Sequence, residues 1–188
     1  MTFNRNYKYL CSLLPGFLVI AGNLAGGWWV VTNTIFSLGI LAILENFVKE
    51  DKDNSVDESV WFPDAILFMH VILQTAALGS MIWSLQHHNF NLLQFVLLGL
   101  STGINSGSSA IVIAHELIHR KNKLMRASGQ YLLFSACNIY FYIDHLKVHH
   151  KWVGTDRDPA TSRFGENLYS FFFRSVFGQI ISSFNVEA

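Results

Sequence analysis

The chain has 188 residues, of which 51% are hydrophobic and only 14% charged, a composition that argues against a cytosolic domain and for the lipid bilayer. Formal net charge is zero, so total charge offers no argument for a nucleic-acid partner and none is expected. Cys11 and Cys137 stand far apart in apolar stretches without any CxxC spacing, which excludes a zinc knuckle, an iron–sulfur ligand set or a redox pair.

Arg5 and Lys8 precede an apolar run that continues well past signal-peptide length and reads as a retained anchor. No residue from Tyr9 to Leu44 is charged; at 1.5 Å per residue this exceeds one crossing of a hydrocarbon core about 30 Å thick. The run predicts a helical hairpin with spans at 9–31 and 34–48, turning near Thr32, Asn33 and Thr34 and placing Trp28 and Trp29 near a membrane surface. Residues 49–61 form a polar, acidic loop, and a third span covers 62–85. His70 within it is a functional candidate by position, with a neutral imidazole hydrogen-bonded inside the bundle as the simpler expectation. His87 and His88 fall at the opposite surface, where solvation accounts for them without metal. A fourth span covers 91–114, in which Gly99, Gly103 and Gly107 share a face and, with Ser106, Ser108, Ser109 and Ala110, predict close helix contact.

Lys and Arg are distributed unevenly: two in the N-terminal tail, two in the 49–61 loop, eight in residues 119–163 and none in the turns expected at 32–34 and 86–90. By the positive-inside rule the tail, the acidic loop and everything after the fourth span face the cytoplasm; the Lys and Arg around 120–126 set this topology and offer a docking face for an acidic electron carrier. The uncharged stretch 128–143 is slightly short for a span, and Asn138, Tyr140 and Tyr142 suit an interface. It predicts a re-entrant or interfacial helix that keeps the flanking histidines on one side. The expected architecture is thus an all-α integral membrane protein, a single domain over 1–188 with about four transmembrane helices, one interfacial helix and a cytoplasmic histidine-rich metal site.

His115-Glu116-Leu117-Ile118-His119 places two imidazoles four residues apart on one helix face, a spacing that suits a shared metal. Alone it is ambiguous, because HExxH also binds zinc in proteases. Asp144-His145-Leu146-Lys147-Val148-His149-His150 adds three more imidazoles. A zinc protease needs only three protein ligands, so five histidines argue for more than one metal, and imidazole-rich sets suit iron. Glu116 and Asp144 are read as carboxylates that orient an imidazole through a hydrogen bond. Asp156 and Asp158 are left outside the site, the Asp158-Pro159 pair being read as a cap or turn.

HELIHRKN at 115–122, DHLKVHHKWVGTDRDPATSR at 144–163, NLYSFFFRSVFGQ at 167–179 and GGWW at 26–29 together resemble the membrane-bound alkane hydroxylases, with xylene monooxygenases as near and membrane fatty-acid desaturases as more distant relatives. The resemblance implies that His115, His119, His145, His149 and His150 ligate non-haem iron, a di-iron pair in the complete family enzyme. It implies terminal hydroxylation of an alkane or similar apolar chain with O2 and two external electrons, supplied by rubredoxin and rubredoxin reductase, at a bacterial inner membrane. Two departures stand out. The family's second motif usually begins with Glu and carries Asn and Gly between its histidines, where this chain has Asp144, Leu146 and Val148; and no histidine follows His150. Five imidazoles fall short of a two-iron donor set, so the chain is expected to be the N-terminal part of such an enzyme. The alternatives are a desaturase-like enzyme, an intramembrane zinc protease, which the surplus histidines disfavour, and an inactive truncated remnant.

Overall fold

The computed structural model describes residues 5–48 and 61–187; the segment 49–60, most of the expected acidic loop, lies outside the described residues. Those residues form helices and turns without strands, in two compact units, Met1–Ala136 and Cys137–Ala188.

In the first unit a 3-10 stretch (Arg5–Leu13) leads into α1 (Leu14–Ala25), whose first turn holds Pro15, where a missing N–H costs nothing. The second crossing is composite: a 3-10 turn (Gly27–Val31), α2 (Thr32–Thr34), a π-helical turn (Ile35–Ile40) and α3 (Leu41–Leu44). The hairpin expected in this region exists, but its turn is not at Thr32–Thr34. The chain reverses at Gly26 and Gly27, with φ of 69° and 56°, a conformation glycine adopts without penalty. A Cβ on Gly26 would also stand 2.6 Å from the His88 ring. The polar residues taken for the turn are helical: Asn33 is buried and donates to the Ser101 carbonyl at 2.9 Å, and the Thr32 hydroxyl donates to the Trp29 carbonyl at 2.9 Å.

Next come α4 (Trp61–His87) and α5 (Leu92–Asn105), the latter continuing through a π turn (Ser106–Ile111) into α6 (Val112–Ile118). Among the described residues four stretches are long and apolar enough to cross a membrane: Lys8–Ala25, Gly27–Leu44, Trp61–His87 and Leu92–Ile118. Burial within them is inverted relative to a water-soluble bundle. Asn23, Asn33, His70, Gln74, Ser80, Ser84, Ser101, Thr102 and Asn105 are buried, while Leu38, Ile43, Ile72, Phe95 and Val96 are exposed. Polar groups removed from water favour partners within the protein, and several of these have one: Asn23 donates to Ser80 at 3.1 Å and Gln74 to Ser106 at 2.9 Å, whereas Ser101 Oγ and the Oδ1 atoms of Asn23 and Asn105 accept or donate no bond among the described residues. An apolar exterior around a hydrogen-bonded polar seam is the arrangement that lipid favours. The chain is an integral membrane protein.

Asn91 begins α5 with a capping box, its side chain accepting from the Gln94 N–H at 2.9 Å while Gln94 returns to the Asn91 N–H at 3.1 Å. Replacement of Asn91 by Ala is expected to cost about 1 kcal/mol, read as a lowered thermal midpoint in detergent; an unchanged midpoint would show that the box adds nothing to the turn between α4 and α5.

The close helix contact expected of this stretch is made by its serines, Ser106 with Gln74 and Ser109 with His70 on α4, and not by the glycine stripe. A Cβ at Gly99, Gly103 or Gly107 would meet nothing within 4 Å. Close approaches lie elsewhere, among them Gly22 against Trp29 and Thr32, Gly16 against Leu73 and Gly129 against Leu117 and Ile118. Gly129 belongs to α7 (Lys123–Ser135), which packs on α6 and is capped by Asn122, whose side chain accepts from the Leu124 N–H at 2.8 Å. The uncharged stretch 128–143 is therefore not one helix. It is the second half of α7, then a break at which Cys137 takes φ +55°, then α8 (Tyr140–Ile143). A left-handed cysteine is uncommon, and no Gly or Pro marks the break.

In the second unit α8 runs into a π turn (Asp144–His149) and α9 (His150–Trp152), and α10 (Leu168–Glu187) packs on α8 and on the π turn. Arg174 fastens the intervening loop to α10: it binds Glu166 at 2.6 Å and donates to the carbonyls of Pro159 and Thr161 at 3.1 and 2.9 Å. Hydrogen bonding from Arg174 pulls the Glu166 carboxyl down to about 2.

Candidate metal centre

His115 lies in the last turn of α6 and His119 caps it, so helical spacing sets them on one face, with ring centroids 5.0 Å apart and edge-to-face. Glu116, between them in sequence, is 54% exposed and engages Arg120 at 2.9 Å, which also reaches Asp64 at 3.4 Å. The structure thus gives this carboxylate a role in holding the end of α6 to the start of α4.

The second unit gathers His145, His149 and His150. In an α-helix a residue five positions on lies about 140° around the cylinder; the i→i+5 ladder of a π turn brings it back into line. The π turn at Asp144–His149 accordingly sets the Nε2 atoms of His145 and His150 3.0 Å apart. His145 is sandwiched between Phe141, at a centroid distance of 4.8 Å, and His149, at 5.3 Å, with both rings nearly parallel to it. At 3.0 Å between Nε2 atoms, one of the His145 and His150 rings hydrogen-bonds the other, and this is also about the distance that separates two imidazole nitrogens bound at right angles to one metal in octahedral geometry at about 2.1 Å each.

His149 is oriented by Asp158, a residue the sequence reading left out. Its Nδ1 bonds Asp158 Oδ2 at 2.8 Å, and the Asp158 side chain is 0% exposed. That carboxylate also accepts from the Thr161 hydroxyl at 2.5 Å and the Ala160 N–H at 2.9 Å. Burial pushes its pKa up, but the bonds from Thr161, Ala160 and His149 outweigh burial and hold it below the ordinary carboxylate value. A carboxylate on Nδ1 fixes the tautomer and presents Nε2 as a lone-pair donor, the usual support for a metal-ligating histidine. Asp158 makes the turn read from sequence with one oxygen and holds the imidazole with the other. The available signal was Thr161 three residues on, which keeps the carboxylate buried and ionised.

Asp144, expected to orient an imidazole, is buried and accepts from the Ser182 hydroxyl of α10. Burial raises its pKa, the Ser182 bond opposing. It ties the π turn to α10. Of the other histidines, His70 bonds Ser12 Oγ at 3.0 Å and Ser109 Oγ at 2.7 Å, the bundle-internal pairing expected of it. His87 bonds the Trp83 carbonyl at 2.8 Å and His88 the Leu24 carbonyl at 3.1 Å.

Residues 90–188, just over half the chain, match the fatty acid desaturase family. Among curated proteins the chain is 31% identical over 169 residues to alkane 1-monooxygenase of Pseudomonas putida, covering 86% of this chain and 42% of that protein. It is 31% identical over 194 residues to alkane 1-monooxygenase of Ectopseudomonas oleovorans, covering 97% and 48%. It is 25% identical over 166 residues to the hydroxylase component of xylene/toluene monooxygenase of Pseudomonas putida, covering 87% and 44%. The chain spans less than half the length of these relatives. Imidazole clusters in each unit, in a chain with these relatives, point to a non-haem metal site.

Proposed function

From the premise that the chain belongs to the fatty acid desaturase family, we propose that it is part of a membrane non-haem di-iron monooxygenase that hydroxylates the terminal carbon of alkanes or similar apolar chains. What carries this reading is the reach of the similarity, 31% identity to an alkane 1-monooxygenase across 97% of the chain. His115, His119, His145, His149 and His150 are the proposed iron ligands. The iron supplies the activation of O2. The protein's own contribution is to orient imidazoles, through Asp158 at His149 and the π turn at His145 and His150, and to admit an apolar chain from the lipid between its helices. The overall reaction consumes R–CH3, O2, two electrons and two protons, and yields R–CH2OH and water.

The electrons come from outside the chain, since it holds no flavin, haem or redox-cysteine motif; rubredoxin and its reductase are the proposed donors. The bias of Lys and Arg toward residues 119–163 supports histidines facing the cytoplasm of a bacterial inner membrane. A desaturase-like outcome is the second reading, favoured by the family match over residues 90–188. Membranes containing the chain, supplied with octane, O2, rubredoxin, reductase and NADH, test both readings. Octan-1-ol is the expected product; octene as the main product would replace hydroxylation with desaturation. A purified chain that retains one zinc and no iron would overturn the iron reading, and one that retains no metal would leave a remnant.

A further inference from the structure

The π turn at Ser106–Ile111 lies directly upstream of His115 and His119. Such a turn houses one extra residue without rotating the helix on either side. If it relaxed to α geometry, α6 would turn by about 100° and move about 1.5 Å relative to α5. π geometry is rare, so persistent contacts must hold it. Two residues one turn apart on α4 make them. Gln74 Nε2 donates to Ser106 Oγ at 2.9 Å while its Oε1 accepts from Asn105 Nδ2 at 3.2 Å, and His70 Nδ1 bonds Ser109 Oγ at 2.7 Å. Within the bulge, Ser106 and Ser108 donate back to the carbonyls of Thr102 and Ile104 at 3.1 and 2.8 Å.

The direction of the His70 bonds follows from its far side. The Ser12 hydroxyl donates to the Tyr9 carbonyl at 2.6 Å, so at 3.0 Å its oxygen accepts from His70 Nε2–H, which leaves Nδ1 of a neutral ring to accept from Ser109. His70, Gln74 and Asn105 are all buried, where no water replaces a lost partner. Downstream, α6 is separately keyed to α7 by the close approach of Gly129 to Leu117 and Ile118. The bulge reconciles two fixed registers, one set by α4 and one by α7.

We propose that His70 and Gln74 are positioning residues: by clasping the π turn they set the rotation at which α6 presents His115 and His119. This rests on the reading of those histidines as metal ligands. The test is a Co2+ titration of the purified full chain in detergent, followed by the ligand-field absorption of the bound ion, with helical content checked by circular dichroism. Wild-type binding that depends on His115 establishes the ligand reading; binding indifferent to His115→Ala, or none, sinks that reading and the proposal with it. Given that binding, Gln74→Leu is expected to weaken it about tenfold or more with a changed spectrum. Deletion of Gly107 in the same variant is expected to restore both, because removing the extra residue returns α6 to its phase without a bulge. Wild-type affinity in Gln74→Leu overturns the proposal, as does weakened binding that the deletion fails to restore. If Gln74→Leu does not fold, Ser106→Ala with and without the deletion gives the same pair of outcomes.

Discussion

Asp158→Ala is expected to weaken the metal binding proposed for the histidines of the second unit about 10- to 100-fold, the usual cost of losing the group that orients a ligand. The substitution removes the acceptor from His149 Nδ1, now bonded at 2.8 Å, and with it the preference for the tautomer that exposes Nε2. It also frees Thr161 and the Ala160 N–H, so loosening of the turn must be separated from loss of the imidazole's partner. Two variants do this. Asp158→Asn keeps an oxygen that can accept from Nδ1 and is expected to fall between Ala and wild type. Thr161→Val breaks the bond to the turn while sparing the contact to His149, and is expected to cost less than either. Co2+ or Fe2+ titration of the purified chain reads all three; wild-type affinity in Asp158→Ala would reduce Asp158 to a turn former.

Gly129→Ala is expected to destabilise the first unit, and Gly99→Ala to stabilise it. In mid-helix, alanine is worth roughly 0.5–1 kcal/mol over glycine, and at Gly99, where a Cβ meets nothing within 4 Å, that gain stands alone. At Gly129 the added carbon would lie 2.9 Å from both Leu117 Cβ and Ile118 Cγ2 and 3.0 Å from the Ile118 backbone nitrogen. Leu117 and Ile118 are buried, so neither can swing aside, and overpacking of this kind costs about 1–3 kcal/mol. The clash outweighs the propensity. Thermal or denaturant unfolding in detergent measures both variants; a Gly99→Ala that unfolds more easily would show that the stripe is covered by something outside this chain.

The same contrast shows what could be read from the sequence. Glycines at every fourth position promised a contact and made none, while an isolated glycine in a charged, mixed segment, Gly129, makes a close one against Leu117 and Ile118, because spacing records a face and not what packs on it. Hydropathy pointed to about four spans, and the described residues hold four helical stretches long and apolar enough to cross a membrane. It misplaced the first turn because Thr32, Asn33 and Thr34 look like loop residues in water, whereas in lipid such polar groups can bind neighbouring helices, as Thr32 does at the Leu18 carbonyl and Asn33 at the Ser101 carbonyl. Both histidine motifs were legible from their spacing as groups of imidazoles on a shared helix face, and the structure does set His115 beside His119 and His145 beside His149 and His150. The π turns were not, since they follow from contacts such as Gln74 to Ser106 that lie 32 positions apart. The adjacency of His149 and His150 was the one local clue, because both can face His145 only on a helix wound wider than α.

The polar seam of the first unit also bears on how the chain is assembled. Each hairpin turns on residues without formal charge, Gly26 and Gly27 in the first, 88–91 in the second, so each pair of spans can leave the translocon as a unit with little to carry across. While only the first hairpin has been synthesised, the amides of Asn23 and Asn33 face lipid without the partners they hold in the finished fold, Ser80 and the Ser101 carbonyl. The second hairpin brings those partners, and His88 then joins its turn to the Leu24 carbonyl of the first. Unsatisfied amides on the earlier hairpin thus act as an adhesive for the later one, giving co-translational assembly a direction that hydrophobicity, equal on both sides of a lipid-facing helix, does not supply.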